Sequence, residues 1–297
     1  MKYQKVFLIG NPVAGGGALK KIKKADDILK NKGIPTEILL TNKQGDAERF
    51  ARNIKDSFNN FSTLVVVAGG DGTYNEVVNG LAFSDVPMAI LPMGTTSVLA
   101  KELKIPQNIE KAIEIALTGK TLKVHLGCIK NKEKQKLFIL MAGVGFDGKA
   151  VFGVDPKKKK YLGKIAYILS GIKTLLEYNP SELIINNSEQ KRAYSTVVCK
   201  AACYGGSFKI TPDANLKEPY LYVFLSKTKS KIGLSLQILG IIFGIHLKMK
   251  NTEYFKTKSL KILGDAHIQI DGDYFGKTPV EINIIENALN LVVPFQT

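Results

Sequence analysis

Two glycine turns that carry carboxylates hold most of the chemistry this sequence offers. The first is Gly69-Gly70-Asp71-Gly72-Thr73, set between the apolar run Leu64-Val65-Val66-Val67-Ala68 and a helical pattern that begins at Thr73. The second is Asp271-Gly272-Asp273, at the end of the alternating stretch Ile268-Gln269-Ile270. In the first turn, glycines admit positive φ and let a bulky ligand approach main-chain N–H groups. The helix that follows brings a partial positive charge suited to phosphate. A plain strand-to-helix turn needs one or two glycines and no Asp71. A carboxylate beside a phosphate site points to a bridging metal, or to water or hydroxyl chemistry. In the second turn, Asp-Gly is by itself a strong hairpin signal, so Asp271 and Asp273 read either as turn residues or as reactive carboxylates.

The elements that position these turns follow from hydrophobic period. The Leu64–Ala68 run reads as a strand buried on both faces. After it, Val77, Val78 and Leu81 share one helical face, with Asn75, Glu76 and Asn79 on the others. Upstream, Val6 to Gly10 is a strand running into Asn11-Pro12-Val13-Ala14-Gly15-Gly16-Gly17, followed by a helix over 18–32 and a strand over 34–40 ending at Thr41. A helix over 47–55 comes next, and Met88 to Leu91 is a further buried strand. This β/α alternation predicts a parallel sheet, whose strand carboxyl ends are where ligands bind. From Lys120 the texture changes to short β-branched runs separated by turns, which predicts antiparallel β structure. The domain boundary is therefore set near Thr121, giving 1–120 and 121–297, with the last residues able to return to the first domain. One apolar run, Leu137 to Ala142, reads as a single strand. Residues 232–247 read as a buried crossover helix or as a lipid-contacting surface.

The run GGDGTYNEVVNGL, with a strand before it and a helix after it, resembles the diacylglycerol kinase catalytic-domain family, which includes bacterial lipid kinases and sphingosine kinases. NAD kinases share GGDGT without the N-E-V-x-N-G continuation. The resemblance extends over most of the chain, through Asn11-Pro12, Pro92-Met93-Gly94-Thr95, the segment from Met141, and Tyr204-Gly205-Gly206. It implies a doubly wound, Rossmann-like α/β domain (1–120) for nucleotide, a C-terminal antiparallel β-sandwich (121–297) for lipid, and an active site in the cleft between the domains. It also implies ATP, with Mg²⁺ arriving on the nucleotide, and a lipid alcohol as acceptor. By the same resemblance Asn11, Thr41, Gly69, Gly70, Asp71, Gly72, Thr73, Asn75, Glu76 and Thr95 bind nucleotide. Asp71 and one of Asp271 and Asp273 are catalytic, the latter as proton acceptor. Two departures stand out. Ser97 replaces a family asparagine. The family's acidic metal-binding turn reads Leu216-Lys217-Glu218-Pro219-Tyr220-Leu221-Tyr222 here, so no structural Mg²⁺ is expected, and Lys217 is the candidate to supply the positive charge.

The composition bounds the rest. At 297 residues, with 45% hydrophobic residues and mean hydropathy near zero, the chain is globular and long enough for two domains. No apolar run reaches the roughly 18 residues of a membrane span, and no cleavable leader pattern is read at Met1. Three cysteines, Cys128, Cys199 and Cys203, make no disulfide framework or zinc spacing, which fits a cytoplasmic protein. The net charge is +16, and the only arginines are Arg49, Arg52 and Arg192. Lysine in such excess suits an anionic membrane leaflet better than nucleic acid, which is gripped bidentately by arginine. Peripheral membrane association, through the Lys157–Lys160 run among others, is therefore expected, with a homodimer left open. No Walker A pattern is present, and His125, His246 and His267 lie in no triad-like context. The alternatives to a lipid kinase are a soluble-substrate kinase of the NAD-kinase type and a non-catalytic nucleotide- or lipid-binding protein.

Overall fold

The computed structural model describes residues 2–94, 97–154 and 164–295, with side chains left out for 164–168. The chain forms two compact units, residues 1–126 with 285–297, and residues 127–284.

In the first unit, β1 (Lys5–Gly10), β2 (Thr36–Leu40), β3 (Thr63–Gly69) and β4 (Met88–Pro92) form a parallel sheet in the order β2-β1-β3-β4. Every residue of β3 is buried, as the unbroken Val-rich run requires of a strand covered on both faces. The helices are α1 (Ala18–Asn31), α2 (Asp46–Phe58), α3 (Asp71–Leu81), α4 (Val98–Glu102) and α5 (Ile109–Thr118). Helices α2 and α3 pack backbone to backbone at Gly80, where an added Cβ would sit 2.5 Å from the Ala51 Cβ and 2.6 Å from the Glu48 carbonyl. Residues 285–297 return to this unit, with Leu291 pairing in parallel with Met88.

The second unit is antiparallel. It holds β6 (Gln135–Phe138), β7 (Met141–Val144), β8 (Leu183–Asn186), β9 (Gln190–Ala193), β10 (Ser195–Cys199), β11 (Cys203–Tyr204), β12 (Phe208–Lys209), β13 (Leu221–Ser226), β14 (Thr252–Thr257), β15 (Ser259–Leu263), β16 (His267–Ile270) and β17 (Asp273–Lys277). Two strands, β5 (Lys120–Lys130) and β18 (Val280–Val293), contribute residues to both units. One sheet runs β14-β13-β10-β7-β16-β17, and β8, β9 and β15 belong to another. Their inner faces share one core that includes Ile129, Phe138, Val144, Ile185, Val198, Val223, Ile262, Ile268 and Ile282, which is the construction of a β-sandwich. Among the described residues the α-helices that join them are α6 (Phe146–Phe152), α7 (Lys164–Leu176) and α8 (Lys231–Ile242).

One expectation needs correction, and one pair of alternatives is narrowed. The run Leu137 to Ala142 is not one strand but the end of β6 and the start of β7, broken at Ile139-Leu140. The backbone there is turned aside to donate to a carboxylate described below. The 232–247 stretch is α-helical to Ile242, turns where Gly244 takes φ 71°, and continues as a 3-10 helix at His246–Lys248. One face of the α-helix is exposed, which agrees with the contact-surface alternative and not with a buried crossover. Among the described residues, no helix is long and apolar enough to cross a membrane. The Lys157–Lys160 run lies outside the described residues.

Candidate functional site

At the carboxyl ends of β1, β3 and β4 three loops converge. The Asn11 amide donates to the Ala68 carbonyl at 2.9 Å, and its side-chain Nδ2 donates to the Thr73 hydroxyl at 3.3 Å. Its Oδ1 accepts from the Val13 amide, shaping the following loop. The Met93 amide donates to the Gly69 carbonyl at 3.1 Å, and the Met93 carbonyl accepts from the Lys21 ammonium at 3.2 Å. Beneath these loops the fully buried Tyr74 places its hydroxyl 2.9 Å from the Gly69 carbonyl and 3.1 Å from that of Leu91, tying β3 to β4. At the end of β2, the Thr41 amide donates to the Gly10 carbonyl, so Thr41 borders the same edge.

Helices α1 and α3 begin at this edge, on Gly17 and Gly70, and neither has a side-chain cap. The Ala18 amide at the start of α1 donates to the Gly15 carbonyl at 3.3 Å, and the positive end of each helix dipole lies at this edge. Among the described residues, a Cβ built on Gly16, Gly17 or Gly70 would meet nothing within 4 Å. The space above both helix starts is therefore open, and the backbone faces it bare. Gly15 and Gly17 need glycine for their conformation, at φ 103° and 73°. Gly70 does not: at φ −116° it is ordinary extended backbone. Positive φ does not explain the Gly69–Gly72 run, since none of these glycines adopts it; at Gly70 the reason is open space. Two glycine-started helices of 14 and 11 residues at one sheet edge make a phosphate cradle.

The acidic residues of this edge are engaged with backbone. Asp71 is the first residue of α3 rather than the middle of a turn. Its two oxygens accept the amides of Val98 at 2.9 Å and Leu99 at 3.0 Å, capping α4 together with Ser97, whose hydroxyl accepts from Ala100. Burial pushes the Asp71 carboxyl up, while the Leu99 and Val98 amides and the Lys101 charge oppose the rise. The Glu76 carboxylate accepts from the Ala47 amide in the first turn of α2, so its visible role is to hold that helix. Asn75 is buried, not on an outer face, and accepts from Asn79 through both its carbonyl and side-chain oxygens. Thr95 lies outside the described residues.

In the second unit, Asp271 and Gly272 form a tight hairpin turn with φ 47° and 88°, the left-handed pair that Asp-Gly favours. The Asp271 carboxylate is buried and accepts three amides, from Ile139, Leu140 and Met141, each at 2.9 Å. These donors are the amides that the break between β6 and β7 releases. Asp271 therefore anchors the fold at this turn. Asp273 opens β17 half-buried, and it is the other candidate base of the turn.

Beside that turn sits a constellation the sequence reading did not single out. Asp147 in α6 accepts from the Tyr204 hydroxyl at 2.5 Å and from Gln269 Nε2 at 2.6 Å, and Gln269 Oε1 accepts from the Gly272 amide at 2.8 Å. A Cβ on Gly143 would lie 1.8 Å from the Asp147 carboxylate, so the glycine makes room for it. Burial pushes the Asp147 carboxyl up, with Tyr204 and Gln269 opposing, and burial together with Asp147 pushes the Tyr204 phenol well up. A carboxyl raised by desolvation beside a carboxylate turn is suited to hold or move a proton.

The altered acidic turn is organised by a second lysine, Lys200, which the sequence reading did not single out. Lys200 has 0% exposure and donates from its ammonium to the carbonyls of Asn215 (3.0 Å), Glu218 (2.6 Å) and Tyr220 (3.0 Å). Tyr222 donates its hydroxyl to the Glu218 carboxylate. Among the described residues no cluster of three or more His, Cys, Asp or Glu side chains is arranged to hold a metal.

Residues 5–129 match the diacylglycerol kinase catalytic domain, and residues 141–293 match the YegS C-terminal NAD kinase beta sandwich-like domain. A diacylglycerol kinase of Staphylococcus epidermidis (strain ATCC 35984) is 29% identical over 295 residues, covering 97% of this chain and 91% of its own length. One from Staphylococcus aureus (strain bovine RF122) matches at the same identity and coverage. A crystal structure of a diacylglycerol kinase from Bacillus anthracis str. Sterne superposes with a TM-score of 0.78 at 25% identity, covering 99% of both chains.

Proposed function

The chain belongs to the family that joins a diacylglycerol kinase catalytic domain to a YegS-type β-sandwich, and from that premise we propose that this lipid kinase transfers the γ-phosphoryl group of ATP to the primary hydroxyl of diacylglycerol or a related lipid alcohol. The observation that carries the nucleotide half is the pair of uncapped helix starts at Gly17 and Gly70, with open space above them. Bare amides and two helix dipoles suit a polyphosphate, and phosphoryl transfer asks mainly for positioning and charge neutralisation. Asn11 and Thr73, bonded to each other, border that cradle.

The donors present also fit Mg²⁺ carried on the phosphates. Each Asp71 oxygen accepts one amide, and a carboxylate oxygen has a second lone pair. With no three-carboxylate cluster among the described residues, the other ligands are the phosphates and water. The ion, when bound, neutralises charge on the transferring phosphoryl group. Asp71 also fixes the start of α4. For the acceptor, Asp273 takes the proton of the lipid hydroxyl as its oxygen bonds to phosphorus and the bond to ADP breaks. Asp147, held by Tyr204 and Gln269, positions that turn through the Gln269–Gly272 bond.

The test is a radiolabelled ATP assay in mixed micelles over a panel of lipid alcohols, with NAD as control. Label in a lipid phosphate supports the reading. Label in NAD alone points instead to the soluble-substrate reaction. Nucleotide binding with label in neither identifies a non-catalytic protein.

A further inference from the structure

Helix α8 is built inside out. Its one polar side chain away from the ends that faces the protein is Gln237, which accepts from the Ser226 hydroxyl at 2.5 Å and donates to the Asn251 carbonyl at 3.1 Å. Leu234 and Gly240 are buried beside it. The opposite side, toward solvent, carries Ile232 (76% exposed), Leu236 and Phe243 (73% exposed). Neighbouring α7 adds Leu169, Ile172 and Leu176, all more than half exposed, and Lys231 joins the helices by donating to the Leu176 carbonyl. A surface helix in water places its polar side outward. Here the large apolar side chains of two touching helices face out, as at a site that something covers.

The charge around this face identifies what covers it. From Pro219 to Thr252 there is no Asp or Glu, while Lys227, Lys229, Lys231, Lys248 and Lys250 fall within that span. Lys229, Lys248 and Lys250 are exposed at the two ends of α8. On the α7 side the exposed Glu177 beside Leu176 is paired with Lys173. An apolar face whose rim is thus in net excess of lysine is complementary to an anionic lipid leaflet, where hydrocarbon meets negative headgroups. A second copy fits worse, since a two-fold contact sets one lysine rim against another. At 12 residues α8 is about 18 Å long, too short to span a bilayer but suited to lie in its surface.

We propose that the outer face of α7 and α8 is a membrane-docking surface that sinks into an anionic leaflet. The proposal rests on the lipid-kinase reading for its lipid, but it is read by binding without ATP, so the failure of either is separately visible.

The chain contains no tryptophan, so Phe243→Trp supplies a single fluorescent reporter in the full-length protein. With phosphatidylcholine vesicles containing phosphatidylglycerol, its emission should shift to the blue and be quenched by lipids brominated on the acyl chain. Pure phosphatidylcholine vesicles should give at least tenfold weaker binding. In the reporter background, Ile232→Ser with Leu236→Ser should weaken binding by roughly tenfold or more, because both side chains leave the hydrocarbon. Lys229→Gln with Lys250→Gln should weaken it comparably on anionic vesicles and leave the residual neutral binding unchanged. All four positions are exposed, so the melting temperature reports whether the fold is retained. No shift with anionic vesicles overturns the proposal. So does a blue shift that appears without lipid and grows with protein concentration alongside a doubled mass, which would give the face to a second copy.

Discussion

Replacing Lys200 by methionine tests how the turn at 213–222 is held. Methionine keeps an unbranched apolar stem and removes the ammonium. Three buried carbonyls, those of Asn215, Glu218 and Tyr220, then lose their donor together. Leaving a buried acceptor unsatisfied costs about 1 kcal/mol or more each, so the loss should be about 3–5 kcal/mol, the range for breaking a buried charged contact. That is a large fraction of a typical folding free energy. Urea unfolding of the wild type and Lys200→Met, fitted with a common slope, measures it. A second readout comes from pH. Burial pulls the Lys200 ammonium down to about 8, with Glu218 opposing, whereas an unfolded lysine titrates near ~10.4. Below pH 8 both states are protonated. Between about 8 and ~10.4 the unfolded chain holds more protons, so this group makes stability rise with pH in that window. Lys200→Met should lose that rise. A destabilisation under about 1 kcal/mol, or an unchanged pH slope, would show that the lysine does not hold the turn.

Three further outcomes follow from the same geometry. Gly70→Ala should leave the melting temperature unchanged, since φ −116° suits alanine and its methyl meets no neighbour, yet raise the KM for ATP at least tenfold; an unchanged KM would remove Gly70 from the phosphate cradle. Asp71→Ala should abolish turnover and also destabilise the first unit by about 1–2 kcal/mol, because Val98 and Leu99 lose their acceptor; a mutant inactive but fully stable would make the capping bonds unimportant. Asp271→Ala should cost about 3 kcal/mol of stability through three orphaned amides, whereas Asp273→Asn should keep the melting temperature and lose kcat. The reverse pattern would return the base to Asp271.

The parts of the molecule legible in the sequence are those whose cause is local. A Val-rich run before GGDGT and a helical period after it specify β3 and α3 within a few residues, because burial on both faces and helix period are written in consecutive positions. The change to antiparallel texture after Lys120 is legible for the same reason. The Asp147 network and Lys200 were not. Asp147 meets Tyr204 and Gln269 across 57 and 122 positions, and Lys200 finds its carbonyls 15 to 20 residues on. Nothing in the residues flanking Lys200 separates it from the many surface lysines; its partners, the carbonyls of Asn215, Glu218 and Tyr220, come from a turn that only the fold brings to it.

The carboxylates show why residue type alone leaves a site half read. Asp71, Glu76 and Asp271 all stand in motifs that read as catalytic or nucleotide-binding, and each accepts backbone amides that the chain must satisfy somewhere. For Asp271 three amides bind the carboxylate, two on Oδ1 and one on Oδ2. Its visible role is to anchor the turn, and the comparison of Asp271→Ala with Asp273→Asn decides which of the two is the base. For Asp71 each oxygen has one amide, so a lone pair on each is left for a ligand, and capping and chemistry are compatible. The capping also explains why Asp71 occupies the first position of α3: there its carboxylate reaches the start of α4 while its own helix presents bare amides beside Gly70 to an incoming phosphate.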